Sequence, residues 1–277
     1  MTLKQLAQET LDLIGAGEYQ AGGQTVRFAE QQESAVLGTR LYRSDEIASI
    51  PASPADENQR ICVVDGTTQV VAQTLAESGD VALLNFASAR NPGGGFLNGA
   101  KAQEEDLCRC SGLYPCLIQC MDYYEANRAQ SSLLYTDHVI FSPLVPFFKT
   151  RGTGGLLAEP FFVSVITAPA PNSGPFLREN REATEELEQT FERRWRNVLR
   201  IARDRSVKRL LLGAWGCGAF GGDPMMASRT AKLAIERDGG GIDEIVFAIP
   251  RKGRQSKANL DAFREAFSIS KSHNQEN

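Results

Sequence analysis

The chain has 277 residues, is 42% hydrophobic and 23% charged, and carries a formal net charge of −4 with a pI of about 5.4. That is ordinary globular composition at a length that builds its own core without a disulfide or metal staple. The acidic balance argues against direct nucleic-acid binding through a broad basic surface, and the absence of an 18-residue apolar run argues against a membrane span.

The opening stretch, MTLKQLAQETLDLIGAGEY, places Leu3, Leu6, Leu11, Leu13 and Ile14 in the apolar set of an amphipathic helix. It contains acids and no apolar leader core, so it reads as part of the fold, and the expected compartment is the cytoplasm. Two weak strands follow near 24–29 and 37–42, then a loop over 49–57, SIPASPADE. ICVVD at 61–65 reads as a buried strand, and 67–78 as a helix capped by Thr67 or Thr68. VALLNFAS at 81–88 is the next strand. A helix begins near Ala100, and Pro115 is expected to end or kink it.

HVIFSPLV at 138–145 and FFVSVITA at 161–168 are strand-like, and 178–203 reads as one long charged helix. KRLLLGAW at 208–215, a helix over 225–237, EIVFAIP at 244–250 and a helix over 255–266 complete the pattern. Short continuous apolar strands imply a sheet covered on both faces, and their alternation with helices implies a layered α/β fold. The expected division is an accessory segment over 1–58 packed on a main domain over 59–267, with a frayed polar tail over 268–277.

Four of the six cysteines, Cys108, Cys110, Cys116 and Cys120, cluster with a C-x-C-x5-C-x3-C spacing that is no usual zinc pattern. Only two histidines exist, His138 and His273, and the second sits in the polar tail. Half-buried helical thiols are therefore expected rather than a metal site or redox chemistry.

Open α/β sheets bind ligands at the carboxyl ends of their strands. Here two such connections are rich in glycine. The first is NPGGGFLNGA, with Gly93, Gly94 and Gly95, followed by Gln103, Glu104 and Glu105 in the opening turns of a helix. The second is GAWGCGAFGGDP, containing Gly216, Gly218, Ala219, Phe220 and Gly221. It leads into a helix that Asp223 can cap and Pro224 can start. Backbone N–H groups and a helix N-terminus make a phosphate cradle without lysine. It is neither a Walker loop nor a dinucleotide fingerprint. A flexible strand-to-helix connection is the plainer alternative, although Phe220 between glycines gains little unless something packs on it.

Adjacent helical residues point about 100° apart, so Glu104 and Glu105 do not share one task. Mutual repulsion and burial raise a carboxyl pKa while a helix N-terminus lowers it, and the order of residues leaves open which glutamate keeps its proton. Asp65 and Thr67, after the first central strand, are candidates for adenine contact or for helix capping. Asn85 and Ser88 are candidates for a ribose or for satisfying backbone groups, and Asn172, in APAPNSG, for the cleft wall.

Gly93, Gly94 and Gly95 with Gln103, Glu104 and Glu105, preceded by VALLNFASARNP, resemble the signature of poly(ADP-ribose) glycohydrolases. The second loop resembles the diphosphate loop of macrodomains, and the likeness to smaller, bacterial-type members spans roughly 61–250. The resemblance implies a macrodomain-like three-layer α/β/α fold with a mixed central sheet and an N-terminal helical extension. It implies hydrolysis of ribose–ribose O-glycosidic bonds, with Glu105 as general acid, Glu104 and Asn98 on ribose, and Gln103 in the motif. The glycine loops would embrace the diphosphate, and Phe220 would orient the terminal ribose. No cofactor or metal is implied. The partners would be poly(ADP-ribose) or ADP-ribose, with ADP-ribosylated proteins as carriers, a monomeric enzyme and trimming from chain ends. The rival readings are a non-catalytic ADP-ribose-binding macrodomain and a hydrolase of mono-ADP-ribosylated protein.

Overall fold

The computed structural model describes residues 1–267, so the predicted polar tail lies outside the described residues. Its elements in chain order are α1 (Leu3–Ala16), β1 (Glu18–Ala21), β2 (Gln24–Arg27), α2 (Ala29–Leu37), β3 (Arg40–Tyr42), α3 (Ser44–Ser49), β4 (Arg60–Val64) and α4 (Thr68–Ala76). Then come β5 (Ala82–Phe86), a single 3₁₀ turn (Phe96–Asn98), α5 (Gln103–Cys110), α6 (Leu113–Ile118), α7 (Met121–Ala129), β6 (Val139–Phe147) and β7 (Phe161–Ala168). The chain closes with α8 (Ser173–Glu179), α9 (Thr184–Asp204), β8 (Arg209–Leu212), α10 (Pro224–Asp238), β9 (Glu244–Ala248) and α11 (Arg254–Ala266).

Seven strands form one mixed sheet in the order β3-β6-β7-β5-β8-β9-β4. β7, β5, β8, β9 and β4 run parallel, while β6 and β3 are antiparallel additions at one edge. Each face carries its own core. One packs α3, α8, α9, α10 and α11 against the sheet around Trp195 and Trp215. The other packs α1, α2, α4, α5, α6 and α7 around Leu107, Tyr123 and Tyr124. This is the expected three-layer architecture. The 1–58 segment enters it directly, since β3 pairs with β6 and Ala7 of α1 lies in the second core.

Several local readings need correction. ICVVD is not a buried strand: β4 is the outermost strand, and Cys62 is exposed there. Residues 29–37, left between two weak strands, form α2, and α7 was not anticipated. Pro115 does not end the helix that precedes it. α5 stops at Cys110, and Ser111 bridges to Phe147, so Pro115 falls inside α6, near its start. The long charged helix starts later than expected: α9 begins at Thr184, and Arg178 and Glu179 end α8, where Asn180 Nδ2 donates to the Phe176 carbonyl (3.1 Å). The clustered cysteines are fully rather than half-buried in the second core, and burial pushes the Cys116 and Cys120 thiols up to about 11. No group of three or more metal-holding side chains occurs among the described residues, and no described helix is long and apolar enough to cross a membrane.

Candidate active site

A cleft of about 1230 Å³ opens at the carboxyl ends of β5, β8 and β9. Its floor is built at the end of β5. That strand pairs with β8 only through Ala82 and Leu83, so its later residues lack a strand neighbour on that side. The Gln103 side chain fills the gap. Its Oε1 accepts from the Phe86 N–H (2.9 Å) and its Nε2 donates to the Leu84 carbonyl (2.8 Å). This splices the first turn of α5 to β5 and so fixes the direction of the next two residues.

Glu104 is only 2% exposed. Its Oε2 accepts from the Ser88 N–H (2.7 Å) and its Oε1 from Asn85 Nδ2 (3.1 Å). Burial pushes its carboxyl up to about 8, with the Glu105 charge adding to the rise, while the Ser88 and Asn85 donors pull it down. A carboxyl group held near 8 stays protonated at neutral pH. Glu105 lies beside it, 8% exposed. Its Oε1 accepts from the Gly95 N–H (2.8 Å), and its buried Oε2 has no hydrogen-bond partner among the described residues.

The raised Glu104 pKa predicts a pH dependence of stability. Between the ordinary value of 4.5 and about 8, only the folded state holds this proton. Stability from this group therefore falls as pH rises through that window and is level on either side. Glu104→Gln is expected to flatten the decline in Tm between about pH 5 and pH 8 in thermal unfolding at fixed ionic strength. An unchanged slope would assign the decline to another group.

The glycine run has a more local reason than ligand approach. Gly94 adopts φ +59°, and a Cβ there would sit 2.5 Å from Glu105 Oε1 and 3.1 Å from Glu104 Oε2. The loop thus lies directly on the two carboxyl groups. A Cβ on Gly95 would strike Ala100 Cβ at 2.6 Å, where the loop folds back toward α5.

Across the cleft, Asp223 caps α10 by accepting from the Met225 N–H (3.0 Å), with Pro224 first in the helix. In the loop before it, the Gly222 N–H donates to the Gly216 carbonyl (2.9 Å) and the Gly221 N–H to the Gly218 carbonyl (3.0 Å). These bonds curl 216–222 into a tight cup. The N–H groups of Gly218, Ala219 and Phe220 make no hydrogen bond among the described residues, which leaves them for an anion. Phe220 lies half-buried on the wall, its ring 6.4 Å from that of Tyr135. Tyr135 itself has φ +62°. The buried Arg194 of α9 holds its turn by donating to the Leu134 carbonyl, to Pro169 (2.8 Å) and to Asp137 Oδ1 (3.0 Å).

Of the residues singled out from sequence, Glu104, Glu105, Gly94, Gly95, Asn98, Gln103, Gly216, Gly218, Ala219 and Phe220 line the cleft. Ser88 and Thr67 line it too; Asn172 hydrogen-bonds Tyr135 OH (3.5 Å) from behind. Four candidates fall elsewhere. Asn85 is fully buried behind Glu104, where its Nδ2 also donates to Thr167 Oγ1 (3.2 Å), so it cannot touch a ribose. Gly93 is covered by Tyr114 and Cys108. Gly221 packs on Gly174 and closes the cup from outside. Asp65 faces a neighbouring groove and accepts from the Arg251 N–H (2.8 Å). The sequence reading missed Tyr114, Tyr135, Arg109 and, from α11, Ser256 and Asn259. No motif marks them: Arg109 and Tyr114 follow the glutamates on α5 and α6, and distant elements bring Tyr135, Ser256 and Asn259 to the cleft.

A family model described as microbial-type PARG, catalytic domain, matches residues 7–150. Among solved structures, poly(ADP-ribose) glycohydrolase from Thermomonospora curvata aligns with TM-score 0.87 and 38% identity, covering 96% of this chain and 99% of that one. The same enzyme bound to the inhibitor ADP-HPD aligns with TM-score 0.86 and 40% identity, over the same shares of each chain. The Deinococcus radiodurans enzyme in complex with ADP-ribose aligns with TM-score 0.76 and 38% identity, over 86% of this chain and 97% of that one. No curated protein matches the chain. With a family model over half its length and near-complete structural relatives, the chain belongs to the microbial-type poly(ADP-ribose) glycohydrolase family.

Proposed function

We propose that the protein hydrolyses the ribose–ribose O-glycosidic bonds of poly(ADP-ribose), releasing ADP-ribose, with Glu105 as general acid. The observation that carries the reading is the pair of buried carboxyl groups under Gly94, facing an open cup of backbone N–H groups. A protein that only binds an anion gains nothing from burying two carboxyl groups beside it, and their desolvation is costly.

The sheet order suggests how the ligand lies. From β5 to β4 there are three strand spacings, about 14 Å, which suits a nucleoside diphosphate extended across the strand ends. The ribose to be cleaved sits over β5, between Glu105 and Phe220. The diphosphate rests in the 216–220 cup after β8. The adenosine lies by Ile249, Ser256 and Asn259 near β9 and β4. The bond that breaks joins ribose C1″ to the 2′-oxygen of the preceding unit. Glu105 delivers its proton to that oxygen as it departs, and water adds to C1″, which is oxocarbenium-like at the transition state. Neutral Glu104 adds no charge beside the diphosphate and offers its proton to a ribose hydroxyl. We assign trimming from chain ends, a monomer as the working unit, and 1–267 rather than 59–267 as the functional unit, because Leu3 of α1 lines the cleft.

Incubation with poly(ADP-ribose) tests the reading. ADP-ribose is the expected small product, released as the chains shorten one unit at a time, whereas short free oligomers would mark internal cuts. Intact polymer together with tight ADP-ribose binding would make the protein a non-catalytic binder. A second check concerns Phe220, whose ring orients the ribose. Phe220→Ala is expected to lower kcat about tenfold or more while ADP-ribose affinity changes less, because a misplaced ribose loses alignment before it loses its diphosphate contacts. An unchanged kcat would leave the ring as packing only.

A further inference from the structure

We propose that Arg109 is a positioning residue for the acid, holding the loop that aims Glu105; the inference rests on the role given to Glu105 above. Arg109 follows Glu105 by about one helical turn on α5 and is 2% exposed. Its Nη1 donates to the Ala100 carbonyl (3.0 Å). The Ala100 N–H donates to the Gly95 carbonyl (3.1 Å), and the Gly95 N–H donates to Glu105 Oε1 (2.8 Å). Three hydrogen bonds therefore run from the guanidinium to the carboxylate and close a ring through one turn of α5.

The rest of the guanidinium is poorly satisfied for a buried charge. Nε has no hydrogen-bond partner among the described residues, and the Asp106 carboxylate stands 3.8 Å away. A neutral side chain filling the same space would burden the fold less. Other elements brace Arg109 in place. Thr10 Oγ1 of α1 donates to the Arg109 carbonyl (3.1 Å). Gln69 Nε2 of α4 and the Gly152 N–H of the β6–β7 loop donate to Asp106 Oδ2 (2.7 Å) and Oδ1 (3.2 Å). A Cβ on Gly152 would lie 2.5 Å from Asp106 Oδ1 and 2.9 Å from Arg109 Nε, so that loop packs closely on both side chains.

Such a clamp matters only where a proton must reach the leaving oxygen along a set line. Its loss therefore falls on substrates whose leaving group needs protonation. Arg109→Lys keeps the charge and loses the reach to Ala100; Gly152→Ala crowds the Asp106 carboxylate and the guanidinium from outside. Each is assayed on poly(ADP-ribose), on a para-nitrophenyl 1″-glycoside of ADP-ribose whose phenolate departs unprotonated, and for ADP-ribose affinity. The expected result for Arg109→Lys is a fall in polymer kcat of about 100-fold, with the aryl glycoside and the ADP-ribose Kd changed only severalfold. Gly152→Ala should show the same selectivity at smaller size. Equal losses on both substrates, or none, overturn the proposal. If Arg109→Lys fails to bind ADP-ribose, Gly152→Ala decides: a polymer-selective loss supports the clamp and an unchanged ratio overturns it. Glu105→Gln measured alongside separates the two claims. A polymer-selective loss in Glu105→Gln without one in the clamp variants removes the clamp alone, while equal losses in Glu105→Gln remove the acid assignment itself.

Discussion

Gly94→Ala is expected to abolish turnover of poly(ADP-ribose), with a loss of at least about 100-fold, while the chain still folds. Two effects add at this position. The backbone sits at φ +59°, where an L side chain is strained by roughly 1–2 kcal/mol. The new methyl would also occupy a point 2.5 Å from Glu105 Oε1 and 3.1 Å from Glu104 Oε2. One carboxyl group or the loop must move, and either change breaks the alignment set by the Gly95 N–H. Steady-state kinetics with a thermal melt on the same sample checks this. Near-normal kcat would mean that the carboxyl positions are not critical to the chemistry.

Glu105→Gln carries the second large effect. A glutamine keeps the shape of the side chain and can still accept from the Gly95 N–H, but it has no acidic proton to give. A positioned general acid contributes about 10²–10⁴-fold, and the variant should lose an amount in that range. The ligand cup after β8 is untouched, so ADP-ribose should still bind. The Arg109 clamp should become silent in this background, because there is no acid left to aim.

The parts of this account that rest on local chemistry were legible in the sequence. Glycine runs after apolar strands mark close backbone approach, and the Asp223 and Pro224 pair marks a helix start whatever surrounds it. What failed depended on neighbours. ICVVD is apolar enough for a central strand, yet β4 is outermost because only β9 pairs with it. Asn85 looked like a ribose ligand at a strand end, but its strand is central and its side chain turns inward to Glu104. The proton on Glu104 follows from burial, which adjacent acids in a sequence do not reveal. Tyr135 enters the cleft because Arg194, from a helix far along the chain, holds its turn. The glycine run reads in sequence as a place where backbone approaches a ligand closely. The nearest partner it meets is the chain's own carboxyl pair.

The most direct test of the central claim compares the wild-type protein with Glu105→Gln on poly(ADP-ribose). ADP-ribose release per enzyme and the affinity of both proteins for free ADP-ribose are measured on the same preparations. The expected result is rapid release by the wild type, release lower by about 10²–10⁴-fold in the variant, and comparable affinities. Equal release by the two proteins, or loss of binding in step with loss of release, would contradict it.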